Sequence, residues 1–254
     1  RVFAAEYYSG SLGMIDLAQA APRVAQSLPL GNAPEPDTVR AGEILFHDAD
    51  FCFQRWQSCA SCHPGGARVD ALNWDMLNDG LGNPKNTKSL LVSHQTPPAM
   101  ATGVRKTAEV AVRAGIRNSL FNTLDESYAV KLDEYLKSLK PVPSPLLVNG
   151  ALSPAAERGK QLFDTAKCSR CHPAPLFTDL KLHRVGTAAG VEQDRRYDTP
   201  TLVEAWRTAP YLHDGRAASI SDVIKTYNGG GEHGDTEDLT QQEIDDLVAY
   251  VMSL

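Results

Sequence analysis

The sequence predicts a mainly α-helical protein made of two small domains in tandem, with a short β-hairpin in front. Three observations predict it. Residues 40–139 can be laid over 158–254 as an internal duplication. Each copy holds one Cys-x-x-Cys-His motif, in "CASCHPGG" (59–66) and "CSRCHPAP" (168–175). The opening stretch "RVFAAEYYSGSLGMIDL" alternates apolar and polar residues on either side of a Ser-Gly turn.

Residues 1–33 form the hairpin segment. It resembles the closing strands of a YVTN-type β-propeller blade, which implies either the C-terminal part of a longer propeller-bearing protein or docking on a propeller. A hairpin packed on the domains behind it is the other reading. Residues 38–140 form the first domain. Its opening helix carries "AGEILF" (41–46), matched by "RGKQLF" (158–163), and its closing helix ends in "DEYLKSL" (133–139), matched by "VAYVMSL" (248–254). Between them "NTKSLLVSHQTPPAMATG" (86–103) matches "DTPTLVEAWRTAPYLHDG" (198–215) without a gap. The Pro-rich stretch 141–154 is a linker. Ser153 before Pro154 reads as an N-cap with proline at the first helical position, opening the second domain at 155–254.

The chain has 254 residues and a net charge of −6, which argues against a nucleic-acid-binding class. It has no apolar run long enough to span a bilayer, and Arg1 is not preceded by a signal peptide, so a mature chain or a fragment is expected. Of five cysteines, four lie in the two motifs. Cys52 is left over, in "DADFCFQRW", an insertion the second half lacks: a buried thiol, or a redox or cross-linking group.

In Cys-x-x-Cys-His, the two thiols add to the vinyl groups of haem and the histidine gives the iron its proximal imidazole. A zinc site would not need a histidine directly after each pair, and a thioredoxin-like pair would sit once in a βαβ unit. Two covalently bound haem c groups are therefore expected, on Cys59, Cys62 and His63 and on Cys168, Cys171 and His172. Attachment of haem to such motifs takes place outside the cytoplasm, so a periplasmic or otherwise exported location is expected.

With both motifs and "TAPYLHDGRAASISDVIKTYNGG" (208–230) in hand, residues 40–254 resemble the diheme cytochrome c peroxidase/MauG family. The resemblance implies two cytochrome c-like domains with different tasks. The C-terminal haem is six-coordinate and takes in electrons or stores oxidising equivalents, and peroxide reacts at the N-terminal one. It implies Tyr227 as the sixth ligand of the second iron, seventeen residues after Pro210, where relatives carry Met or Tyr; Met252 and His213 are the rivals. It implies a calcium ion between the haems, held by Asn86, Thr208 and Pro210.

The first half departs from the family pattern. The distal Gln and Glu of the peroxidases fall at Ala111 and near Phe121, and the bridging Trp falls at Ala101. Glu109 either takes over as acid/base or is a surface carboxylate paired with Arg113 one turn on. The group over the first iron is Met76, His94 or Met100, although such a histidine is more often a satisfied core residue than a ligand. Trp56 and Trp74 flank the first motif and are expected to pack on porphyrin.

The function so implied is a diheme oxidoreductase that passes electrons between the C-terminal haem and an N-terminal haem, which reacts with peroxide or oxidises a partner. Its redox partner would be a small cytochrome or cupredoxin. The missing Gln and Glu keep a second reading open, a non-catalytic two-haem electron carrier, and the propeller-like start a third, the haem module of a larger propeller enzyme.

Overall fold

A computed structural model describes residues 1–18, 26–32, 34–75 and 82–254. Met76 lies outside the described residues. The N-terminal segment is a three-stranded antiparallel sheet: β1 (Val2–Glu6), β2 (Ser11–Ile15) and β3 (Gln26–Pro29), in the order β1-β2-β3. The expected Ser9–Gly10 turn joins β1 to β2, with Gly10 at positive φ. β3 goes beyond the expected hairpin, since its pattern is too short to announce itself in sequence. Arg40 ties the sheet to the first domain, its guanidinium 4.1 Å from the Tyr7 ring centre and bonded to the Tyr7 carbonyl.

The first domain pairs α1 (Thr38–His47) with α3 (Glu126–Ser138), and α2 (Ala108–Asn118) packs on α3. Asp37 and Thr107 cap α1 and α2 by accepting the backbone N–H three residues on, and Asp125 caps α3 through the N–H of Ser127. The second domain pairs α4 (Pro154–Thr165) with α5 (Gln241–Val251) in the same way. Ser153 caps α4, and Thr240 with Glu243 forms a capping box on α5.

The duplication is visible residue by residue. The ring centres of Phe46 and Tyr135 stand 5.3 Å apart, and those of Phe163 and Tyr250 also 5.3 Å. Burial of each ring contributes roughly 2–3 kcal/mol. Gly42 abuts the Lys131 carbonyl as Gly159 abuts that of Asp246, so each helix pair crosses at a point where no side chain fits. The loops repeat too: the two-stranded ladder Asn73–Trp74/Lys85–Asn86 matches Leu182–His183/Tyr197–Asp198, and the bridge Ala99–Arg105 matches Tyr211–Ala217.

Polar contacts from these loops join the domains. Lys85 Nζ lies 3.0 Å from Glu192 Oε1, Lys88 Nζ lies 2.6 Å from Asp198 Oδ2, and Asn73 donates to the Asp214 carbonyl. The linker folds back in an Asn149–Gly150 turn, both residues at positive φ, and Ser144 Oγ donates to the Met252 carbonyl. Among the described residues no helix is long and apolar enough to cross a membrane.

Candidate haem sites

Each Cys-x-x-Cys-His follows its domain's first helix on a short helical turn, Cys59–Cys62 and Cys168–Arg170. His63 Nδ1 stands 3.2 Å from the Arg68 carbonyl oxygen, and His172 Nδ1 stands 2.8 Å from that of Phe177. A donor bond from Nδ1 to a carbonyl five residues on fixes the ring and leaves Nε2 for a metal. Burial lowers the pKa of both imidazoles, which favours the neutral, ligating form.

No disulfide joins any of the five cysteines. Burial pushes Cys59 up to about 12 and Cys168 up to about 11, and raises Cys62 and Cys171 as well. Such thiols stay neutral, which is the opposite of what a reactive redox pair needs. Both motifs therefore fit haem c. Cys171, Asp179 and His183 also converge closely enough for a metal, but in that cluster Cys171 belongs to the attachment motif.

On the first domain, His94 and Asp133 meet out of solvent, Nε2 to Oδ1 at 3.0 Å, each side chain about 5% exposed (6% and 4%). Arg113 Nη1 binds the other Asp133 oxygen at 2.5 Å. Burial pushes the Asp133 carboxyl up, but the hydrogen bonds from His94 and Arg113 outweigh it and hold it below the usual range. The second half has no counterpart, since Trp206 and Val248 occupy the matching positions. Asp133 carried no sign of this in the sequence because it sits 39 residues from His94.

The expected Glu109–Arg113 pair is not formed. Arg113 binds the Glu109 carbonyl and pairs its charge with Glu126 and Asp133, while the Glu109 carboxylate is held below its usual range by hydrogen bonds at its own helix start, its own backbone N–H first and Thr107 second. Met100 occupies a left-handed turn, φ 74°, like its counterpart Leu212 at 69°. Trp56 is 59% exposed, and the Trp74 indole N–H donates to Asp70 Oδ2. Cys52 is buried, its Sγ 3.4 Å from the Phe53 carbonyl.

In the second domain Tyr227 follows a π-helical turn, Asp222–Thr226, and its hydroxyl makes no hydrogen bond among the described residues. The Arg216 guanidinium lies 5.9 Å from its ring centre. Met252 Sδ faces the Tyr211 hydroxyl at 3.7 Å within the core, and His213 stacks on Tyr197 at 4.0 Å. At the domain boundary the Asn86 amide nitrogen faces the Pro210 carbonyl oxygen and Asn86 Oδ1 is buried without a partner, while Thr208 Oγ1 donates to Ala205. An orphaned buried oxygen beside a carbonyl fits the donor set of a hard cation.

Residues 156–254 match the family described as Cytochrome c. Hydrazine synthase subunit gamma of Kuenenia stuttgartiensis is 30% identical over 274 residues, covering 86% of this chain and 78% of that protein. Methylamine utilization protein MauG of Methylorubrum extorquens is 25% identical, covering 89% and 80%. A solved structure of Kuenenia stuttgartiensis hydrazine synthase under xenon superposes with a TM-score of 0.84 at 25% identity, covering 92% of this chain and all of that one.

Proposed function

Because this chain belongs to the diheme cytochrome c family that includes MauG, the cytochrome-c peroxidases and hydrazine synthase subunit gamma, we propose that it is an exported oxidoreductase with chemistry at its first haem and electron supply at its second. The observation that carries this is the buried His94–Asp133–Arg113 cluster, which the first domain has and its copy lacks. When bound, the haems supply redox-active iron and a route for electrons between the domains. His63 and His172 hold the irons, and the four motif cysteines hold the macrocycles.

At the first domain, His94 is the group that accepts and returns a proton, and Asp133 orients its ring and balances its charge, with Arg113 keeping Asp133 ionised. This cluster stands in for the Gln and Glu that peroxidases carry and that Ala111 and Phe121 replace here. Calcium on Asn86 and the carbonyls of Thr208 and Pro210 would complete the boundary between the haems. The substrate is peroxide or an oxidisable partner, and a small cytochrome or cupredoxin supplies or accepts electrons in the periplasm. The match to a named subunit favours work inside an assembly, and the exposed Val2, Phe3 and Leu30 of the N-terminal sheet suit docking on a β-propeller domain or subunit.

The test is a low-temperature EPR spectrum of the oxidised two-haem protein before and after hydrogen peroxide. A high-spin ferric signal that peroxide removes supports the reading, and Asp133→Asn should then slow its loss roughly 100-fold or more at unchanged haem content. Two low-spin signals indifferent to peroxide would leave the electron-carrier reading in its place.

A further inference from the structure

His233 lies in "GGGEHGD", a stretch that reads in sequence as plain loop, yet it is firmly placed. Its ring centre stands 6.5 Å from that of His172, with the ring planes 37° apart. Its Nδ1 is buried without a hydrogen-bond partner, and its ring makes no hydrogen bond among the described residues. A metal–imidazole bond runs about 2.0 Å, and each nitrogen sits roughly 1 Å from its ring centre, so two imidazoles on opposite sides of one metal place their centres roughly 6 Å apart. The observed spacing is the one that a shared iron needs.

The loop is built to hold that ring. Asn228, 4% exposed, accepts the His233 backbone N–H at 2.7 Å through Oδ1 and donates through Nδ2 to the Gly234 carbonyl and to Thr236 Oγ1. Gly234, at φ 95°, passes so close to the attachment site that a side chain there would meet the Ala166 carbonyl at 3.2 Å and Cys168 Sγ at 3.6 Å. The Asp235 N–H donates to that same Ala166 carbonyl, and Lys167 pairs with Asp235. His172 has its own Nδ1 engaged by Phe177, so its Nε2 is the atom left for iron.

We propose that His233, rather than Tyr227, is the sixth ligand of the iron held by His172. The assignment rests on the diheme reading above and adds what it leaves open: a neutral imidazole in place of an anionic phenolate. A bis-imidazole centre passes single electrons with little change of shape and is closed to substrate, whereas phenolate ligation favours storage of high oxidation states. The second haem is then a relay. Tyr227, under the Arg216 guanidinium, lies six residues earlier on the other side of Asn228 and serves the wall of the site.

The experiment is near-infrared magnetic circular dichroism of the ferric protein, whose charge-transfer band reports the axial ligand pair, together with a pyridine haemochrome count. Two haems per chain with a bis-imidazole band, kept in Tyr227→Phe and replaced by a high-spin or imidazole–thioether band in His233→Gln and His233→Met, are the expected results. An imidazole–phenolate band on a two-haem protein, lost in Tyr227→Phe, overturns the assignment alone, and the wild-type spectrum decides it even where a variant fails to fold. A count of one haem overturns the assignment and the diheme reading together.

Discussion

Arg68 and Glu204, one from each domain, form a two-pronged ion pair out of solvent: Nε to Oε2 at 2.8 Å and Nη2 to Oε1 at 2.9 Å, with side chains 7% and 1% exposed. The pair is more than a strut. The Arg68 carbonyl accepts the bond from His63, so the imidazole proposed to hold the first iron hangs from a residue anchored in the second domain. Glu204 also accepts the Val142 N–H of the linker and the Arg207 guanidinium, while its own N–H donates to Leu254.

Removing one partner leaves a buried charge uncompensated. Glu204→Ala should cost about 3–5 kcal/mol in denaturant unfolding, whereas Arg68→Met combined with Glu204→Leu should recover most of that loss. If the single and double replacements cost the same, the pair has no coupling and the two domains are joined by other contacts.

The same carboxylate sets an acid limb. Burial pushes Glu204 up, but the hydrogen bonds from Arg68, the Val142 N–H and Arg207 hold its pKa below the usual Glu value. A group depressed in the folded state contributes its stability fully above the unfolded value, about 4.3, and loses it as pH falls through the lower folded value. Between pH 5 and pH 3 the wild type should therefore lose more stability than Glu204→Gln, and parallel acid titrations followed by circular dichroism check it.

The two helix crossings make a matched pair of tests. A methyl at Gly42 would sit 1.9 Å from the Lys131 carbonyl oxygen, and one at Gly159 the same distance from that of Asp246. Backbone cannot yield as a side-chain tip does, so Gly42→Ala and Gly159→Ala should each destabilise by about 1–3 kcal/mol or more, despite alanine's better helix propensity. Thermal unfolding of both variants measures it, and a neutral result at either site would show that the helices slide apart freely.

The calcium proposed on Asn86 and the carbonyls of Thr208 and Pro210 predicts a loss on chelation. Wild-type holoprotein treated with EGTA should rebind calcium in a calorimeter with one site per chain, and Asn86→Ala should abolish that site while keeping both haems. Binding unchanged in Asn86→Ala would move the ion elsewhere.

Much of this was legible because it was written twice. The gapless match of 86–103 to 198–215 announced that the two loops repeat, down to Gly103 and Gly215, and the structure adds the ladders and the left-handed turns at Met100 and Leu212 that the repeat contains. What could not be read was whatever depends on residues far apart in the chain and present in one copy only. His94 carried no sign of Asp133, nor Arg68 of Glu204, and His233 stood among glycines with no periodic pattern to mark it.

Val92 and Glu204 occupy the same bend of the two copies, at φ 53° and 61°, and both are buried. One copy fills the bend with an isopropyl group, and the other sends a carboxylate across into its neighbour. That divergence adds a buried charge pair to the contacts that Lys85, Lys88 and Asn73 make across the domain boundary. A first domain cut free at the linker would keep Arg68 without an anion, and a second domain cut free would keep Glu204 with Arg207 alone. Two halves built on one plan are thereby tied into one fold, and the spacing proposed between the haems is set when the chain folds rather than by chance encounter.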